Sequence, residues 1–198
     1  MPGDNPAGKH NTAAAAGGLS VVTLLPLLTG LPPLVQPGVQ VLILGSMPGQ
    51  ASLTQQCYYG HPRNQFWPLM QALFGVEAAL PYAARCQALL DAGVALWDVI
   101  GQCQRPGSLD SAIVSDSITF NDIAALCRQY PEIRQIWLNG GKAAQSFRQY
   151  QRWLAAGDWP GAGMMIRTLP STSPAHASVS FADKLLLWQP APQQSCAG

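Results

Sequence analysis

The chain reads as a three-layer α/β domain in which a central four-stranded parallel sheet is flanked by helices. Three observations predict this. Four short apolar runs, each halted by turn residues, suit strands covered on both faces. Helical patterns fill the intervals between them, as right-handed crossovers require. The chain has 198 residues, 48% of them hydrophobic, enough for one core and cramped for two.

Met1–Gly18 is polar and then Ala/Gly-rich, and is expected to be a disordered tail. The domain is placed at residues 19–188, with Gln189–Gly198 as a frayed tail. Leu19–Leu31 is an apolar run of signal-peptide length. Pro26 interrupts it and no A-x-A site follows, so it is expected as a short helix or lead-in packed on the domain. The strands are placed at Val39–Leu44, Gly93–Val99, Glu132–Leu138 and Met164–Leu169. Helices are placed at Gln65–Phe74, Pro81–Ala92, Asn121–Tyr130, Lys142–Ala155 and Phe181–Trp188. Asn121 or Asp122 caps the third of these. Pro68 is compatible with the first if Asn64 is its cap, because a first-turn N–H has no partner to lose.

Composition narrows the function. Only 11% of residues are charged, and 11 Lys and Arg against 10 Asp and Glu leave a formal charge of +1. That argues against a protein that coats nucleic acid by charge alone, and against an acidic solvating one. The cysteines Cys57, Cys86, Cys103, Cys127 and Cys196 are odd in number and none is spaced C-x-x-C. A disulfide framework or four-thiolate metal site is not expected, and a reducing cytoplasm is.

In parallel sheets, ligands bind beyond the carboxyl ends of the strands. After the first strand come Gly45-Ser46-Met47-Pro48-Gly49 and, further on, Tyr58-Tyr59-Gly60-His61-Pro62-Arg63-Asn64-Gln65-Phe66-Trp67. Asp98 is at the end of the second strand, Asn139-Gly140-Gly141-Lys142 follows the third, and Leu169-Pro170-Ser171-Thr172-Ser173-Pro174-Ala175-His176 runs on from the end of the fourth. The third of these opens a helix with glycines and a lysine, a ready phosphate site. From Ile133 to Gly157 the chain carries Arg134, Lys142, Arg148 and Arg152 and no acid, a possible footprint for DNA. The hydroxyls of Ser171 and Ser173 suit phosphate oxygens, and Arg63 is a second cation for that task. His61 reads as a loop-ordering hydrogen bonder. No G-x-S-x-G elbow occurs and the histidines are only His10, His61 and His176, which excludes the common nucleophilic triads. Asp98 is the one carboxylate read at a strand end, where a sugar hydrolase needs two.

The string LGSMPG…YYGHPRNQFW, joined to LPSTSPAHA with GSLDS and WLNG between, resembles the uracil-DNA glycosylase superfamily, and its hypoxanthine-DNA glycosylase branch most of all. The resemblance runs from about Leu31 to Trp188. It implies a uracil-DNA glycosylase-like sheet and cleavage of the N-glycosidic bond of a damaged base, with no metal and no cofactor. The superfamily's usual water-holding acid or amide falls at Met47, which cannot orient water. The branch uses the Asn of its HPRN-type segment instead, here Asn64, whose bland alternative is a helix cap. Tyr59 lies where the family stacks an aromatic on the flipped base, with Tyr58 as the competitor. Asp98 matches the position that reads the Watson–Crick edge. An ionised carboxylate accepts the N1–H of hypoxanthine or the N3–H of uracil but faces the adenine N1 acceptor unpaired. The family's histidine position falls at Ser171, and its wedge position at Ala175 or His176.

The resemblance therefore predicts a monofunctional glycosylase acting on a deaminated base in double-stranded DNA, hypoxanthine preferred and uracil the alternative. Ser46, Met47, Tyr59, Phe66 and Asp98 form the base pocket, Asn64 holds the water, and Arg63, Lys142, Ser171, Ser173 and His176 meet DNA. A monomer in the cytoplasm, associated with the nucleoid and not with a membrane, is expected. A non-catalytic module that binds nucleotides or damaged DNA is the reading from another class.

Overall fold

The apolar runs become a parallel sheet because each alternates its side chains between two apolar layers. In the computed structural model, which describes residues 25–155, 157–161 and 163–190, β1 is Leu27–Thr29, β2 Val41–Gly45, β3 Val94–Asp98, β4 Ile100–Gln104, β5 Thr119–Phe120, β6 Gln135–Asn139 and β7 Met165–Leu169. The central sheet has four strands in the order β3-β2-β6-β7, all parallel. Gly45 pairs with Asp98, Leu44 with Leu138 and Asn139 with Leu169, so the carboxyl ends lie level.

The period of two sorts the core. Leu42, Leu44, Ala95, Ile136 and Leu138 point into one layer, with Phe147 and Tyr150 of α5 (Gly141–Trp153) and Ile123 and Leu126 of α4 (Ile123–Gln129). Val41, Ile43, Val94, Leu96 and Trp137 point into the other. They meet Phe66, Leu69 and Met70 of α2 (Phe66–Phe74), Leu89 of α3 (Tyr82–Asp91) and Trp188 of α6 (Phe181–Trp188). Asp122 caps α4, its carboxylate accepting the Ala125 N–H at 2.9 Å. Pro68 is in the first turn of α2, as expected from its missing N–H.

Three expectations change. The strand at Met164–Leu169 was expected to be buried on both faces, but β7 is the sheet's edge, and Met165 and Ile166 are exposed. The lead-in is not a helix over its described part: Leu27–Thr29 forms β1, antiparallel to β4, and β5 completes a second, three-stranded sheet. Nothing in Ile100-Gly101-Gln102-Cys103-Gln104 looks like a core strand, because its pairing rather than its apolarity makes it one. A short α1, Gln50–Gln55, was also not expected, since six mostly polar residues carry no apolar period. The tail calls on residues 1–18 and 191–198 lie outside the described residues, as does the start of the Leu19–Leu31 run.

Candidate active site

The four strand ends converge on one cleft of about 380 Å³. Its walls bring together the Ser46–Ser52 segment after β2, Tyr58–Asn64, Asp98, Ser108–Asp110, Asn139 and Ser171–Ala175. The Asn64 loop and the Ser171–Ser173 turn share it because they are bonded to each other: the Gln65 N–H donates to the Thr172 carbonyl at 3.0 Å. Asn139, at the end of β6, locks the turn from below. Its Nδ2 donates to Thr172 Oγ1, and its Oδ1 accepts the Thr172 N–H, both at 2.9 Å. Thr172 is thereby buried, while Ser171 and Ser173 on either side reach the cleft.

Gly140 sits at φ 100°, and a Cβ there would lie 2.8 Å from the Ser171 Cβ. Only glycine lets the start of α5 approach the turn so closely. Gly45 serves in the same way beneath the pocket: a Cβ on it would overlap Asp98 Oδ1 and stand 3.7 Å from the Tyr59 hydroxyl.

Asn64 lines the cleft, and its Oδ1 accepts the Phe66 N–H at 2.9 Å. That bond closes an Asx turn just ahead of α2, whose N-cap is Gln65 rather than the Asn64 expected from the sequence, and it fixes which way the amide faces, leaving Nδ2 and one oxygen lone pair for the cleft. Ordering the turn and holding a water are therefore compatible. His61 orders the same loop, its Nδ1 accepting the Arg63 N–H at 3.1 Å.

Tyr59 also lines the cleft, in the left-handed region at φ 55°. A non-glycine residue there costs about 1–3 kcal/mol and marks a site whose surroundings impose it. Phe66 does not line the cleft. It is fully buried and stacks behind Tyr59, with ring centroids 3.8 Å apart and planes 18° apart. One face of Tyr59 is thus backed. Tyr58 is buried, its hydroxyl donating to the Pro32 carbonyl at 2.9 Å, which makes it an anchor for the lead-in.

Asp98 is buried, and its Oδ2 has no hydrogen-bond partner. Burial pushes its carboxyl up to about 7, with the Asp110 charge adding to the rise and Arg105 opposing it. Asp110 and Arg105 were not anticipated. Ser46 Oγ donates to Asp110 Oδ2 at 2.6 Å, and the buried Arg105 pairs with Asp110 at 3.7 Å. Asp110 carried a faint signal, an acid in the Gly-Ser-Leu-Asp-Ser turn. Arg105 carried none: nothing local marks it as buried, and its guanidinium also donates to the Pro48 carbonyl, which is distant in sequence. Met47 borders the cleft but is buried with Ile100, Cys103 and Ile113. A carboxylate or amide in that apolar group would be poorly solvated.

Arg63 is exposed at the rim. Lys142 and His176 are not part of the wall, though Lys142 follows the α5 start that abuts Ser171. The basic run is not one footprint. Arg134 precedes β6, at the far end of the sheet, and Arg152 lies in the last turn of α5, about 15 Å from Lys142 along the axis. A third unanticipated residue is Lys184, buried although it sits on an amphipathic helix. Its Nζ donates to Gln65 Oε1 at 2.8 Å and to the His176 carbonyl at 3.1 Å, holding both loops. Burial without a counter-charge lowers its pKa. Among the described residues, no group of three or more His, Cys, Asp and Glu could hold a metal.

Fold and cleft together define a three-layer α/β protein with a ligand-sized site at the carboxyl end of its sheet. The chain belongs to the uracil-DNA glycosylase superfamily: the family described as Uracil DNA glycosylase superfamily matches residues 32–190. It is similar to the Hypoxanthine DNA glycosylase of Methanosarcina acetivorans, 34% identical over 152 residues, which cover 76% of this chain and 89% of that protein. The Hypoxanthine DNA glycosylase of Methanosarcina barkeri is 34% identical over 117 residues, 59% of this chain and 73% of that protein. The solution NMR structure of a candidate uracil DNA glycosylase from Methanosarcina acetivorans superposes with a TM-score of 0.66 at 31% identity, covering 80% of this chain and 92% of that one. The sheet expected from the sequence and the family resemblance both stand.

Proposed function

We propose that the protein is a monofunctional DNA glycosylase that removes a deaminated base, hypoxanthine in preference to uracil, from double-stranded DNA. The observation that carries this is the convergence of Asn64, Tyr59 and the unpartnered Asp98 oxygen on one cleft rimmed by Ser171 and Ser173. The likeness to proteins named Hypoxanthine DNA glycosylase supports the choice of base.

Extruding a base costs a few kcal/mol, least when its pair is already mismatched. Stacking returns roughly 1–3 kcal/mol. Tyr59, backed by Phe66, offers a rigid face for that stack. Ionised, as it is above about pH 7, Asp98 accepts the N1–H of hypoxanthine and opposes adenine, whose N1 offers only a lone pair. Leaving such a group unsatisfied costs about 1–3 kcal/mol, which discriminates between the two purines. The Ser171 and Ser173 hydroxyls and Arg63 hold phosphates on either side of the everted nucleotide.

The C1′–N9 bond then breaks with its electron pair leaving on the base. Asn64 orients a water at C1′; the water's oxygen bonds to C1′ and its proton is released to solvent or to the departing base. An amide cannot take that proton, so its contribution is orientation. Among the described residues no lysine lines the cleft to form a Schiff base, and an intact abasic strand is the product. The enzyme works as a monomer.

Single-turnover assays with inosine- and uracil-containing duplexes, followed by alkali, test the reading. Alkali-labile sites at inosine are expected. Labile sites at uracil alone would reverse the preference, and binding without labile sites would leave a damaged-DNA-binding module.

A further inference from the structure

An everted base leaves a gap in the duplex, and the turn expected to fill it lacks bulk. Ala175 carries a single methyl, and His176 stands outside the cleft wall with its carbonyl tied to Lys184. Among the described residues, Leu109 is the large apolar side chain that both lines the cleft and projects into water; it is 61% exposed.

Its loop is held at several points. Gly107 turns the chain at φ 74°, and its carbonyl accepts from Arg105 Nε at 3.2 Å. The Gln50 N–H donates to Ser108 Oγ at 3.1 Å, and the Ala112 N–H donates to the Leu109 carbonyl at 3.0 Å. Asp110 is bonded to Ser46 and paired with Arg105. A leucine kept in water forgoes the stabilisation of burial. A rigid loop that does this at the rim of a binding cleft holds the side chain for an external partner.

We propose that Leu109 is the wedge that enters the duplex at the target nucleotide and occupies the space it vacates. Leucine is among the apolar side chains that proteins insert between base steps. The loop between β4 and β5 thereby does what the 171–176 turn is too slight to do. Leu109 adjoins Asp110, which bonds to Ser46 beside the base pocket, so wedge and pocket wall form one rigid unit. The inference rests on the glycosylase reading.

The test is single-turnover excision of hypoxanthine from three substrates: an ordinary duplex, a single strand, and a duplex with pyrene opposite the lesion. Pyrene fills the stack and holds the lesion out. Leu109→Ala is expected to slow excision from the ordinary duplex about 10- to 100-fold, the rate equivalent of withholding one buried leucine. The slowing on single strands is expected to be several times smaller, pyrene should restore most of the lost rate, and Leu109→Met should stay close to wild type. Equal slowing on all three substrates, or none on the ordinary duplex, would overturn the wedge. If the wild-type protein excises hypoxanthine from none of them, the glycosylase reading itself falls and the wedge with it.

Discussion

The middle of the central sheet and its carboxyl end are built from the same strands but obey different rules. In the middle, Leu42, Ile43, Leu96 and Ile136 are fully buried and apolar, and the backbone ladder satisfies their polar groups. Two or three residues further along, the same strands deliver Asp98 with an oxygen left unpaired and Asn139 locked to Thr172, and a loop beyond them holds Tyr59 at positive φ. The apolar middle supplies the stability that the strained, partly unsatisfied end draws on. A site that must grip a foreign base keeps its best hydrogen-bonding atoms free until the base arrives.

The sharpest break in that contrast is at Asn64. Asn64→Ala is expected to lower the single-turnover rate about 10²–10⁴-fold, the range for a lost positioning group at the reacting water. Loss of the Asx-turn bond costs only about 1 kcal/mol, so a thermal melt should move by a few degrees. A large drop in melting temperature, with the rate following it, would make Asn64 purely a structural residue of the turn.

Leu42→Ala strikes the other region. It should cost about 2–5 kcal/mol in denaturant unfolding. The ratio of hypoxanthine to uracil excision should not change at temperatures where the variant is folded. A changed ratio would show that sheet and cleft are not separable in this way.

Asp98 carries the cost of the site. Its carboxyl is near 7 when folded and near 3.8 when unfolded, so between those values the folded state binds more protons. Stability from this group is therefore greatest below about pH 4 and falls as pH rises toward 7. Asp98→Asn should remove that slope and raise stability at pH 8 by up to about 4 kcal/mol, while weakening excision. Urea melts at pH 5 and pH 8 measure both parts, and an unchanged slope would remove Asp98 as its source.

The smallest effect is expected at Tyr59. Tyr59→Leu should cost about 1–3 kcal/mol in binding of an everted base, read as weaker affinity for lesion duplex at constant salt. Loss of affinity for undamaged duplex by the same factor would instead assign Tyr59 to the loop's shape.

Local pattern was enough for the four strands of the central sheet, for most helix limits and for the arrangement of the motifs at strand ends. The motif loops themselves placed Asn64, Tyr59, Asp98, Ser171 and Ser173 beside one cleft. Phe66 was read as a pocket residue because an aromatic next to a motif looks like part of it; its place behind Tyr59 depends on ring geometry. Nothing in the sequence singled out Lys184, and only the loops folded over it show what its ammonium holds.

Apolar period, turn residues and chain length settle the layers, since burial follows from spacing along a few neighbouring residues. The Asp110–Ser46 bond, the Gln65–Thr172 bond and the second sheet come from pairings between distant residues, where no local period exists to be read. Those pairings set the width of the cleft, the free oxygen of Asp98 and the outward stance of Leu109, because each depends on which groups lie close after folding and which are then left without a partner.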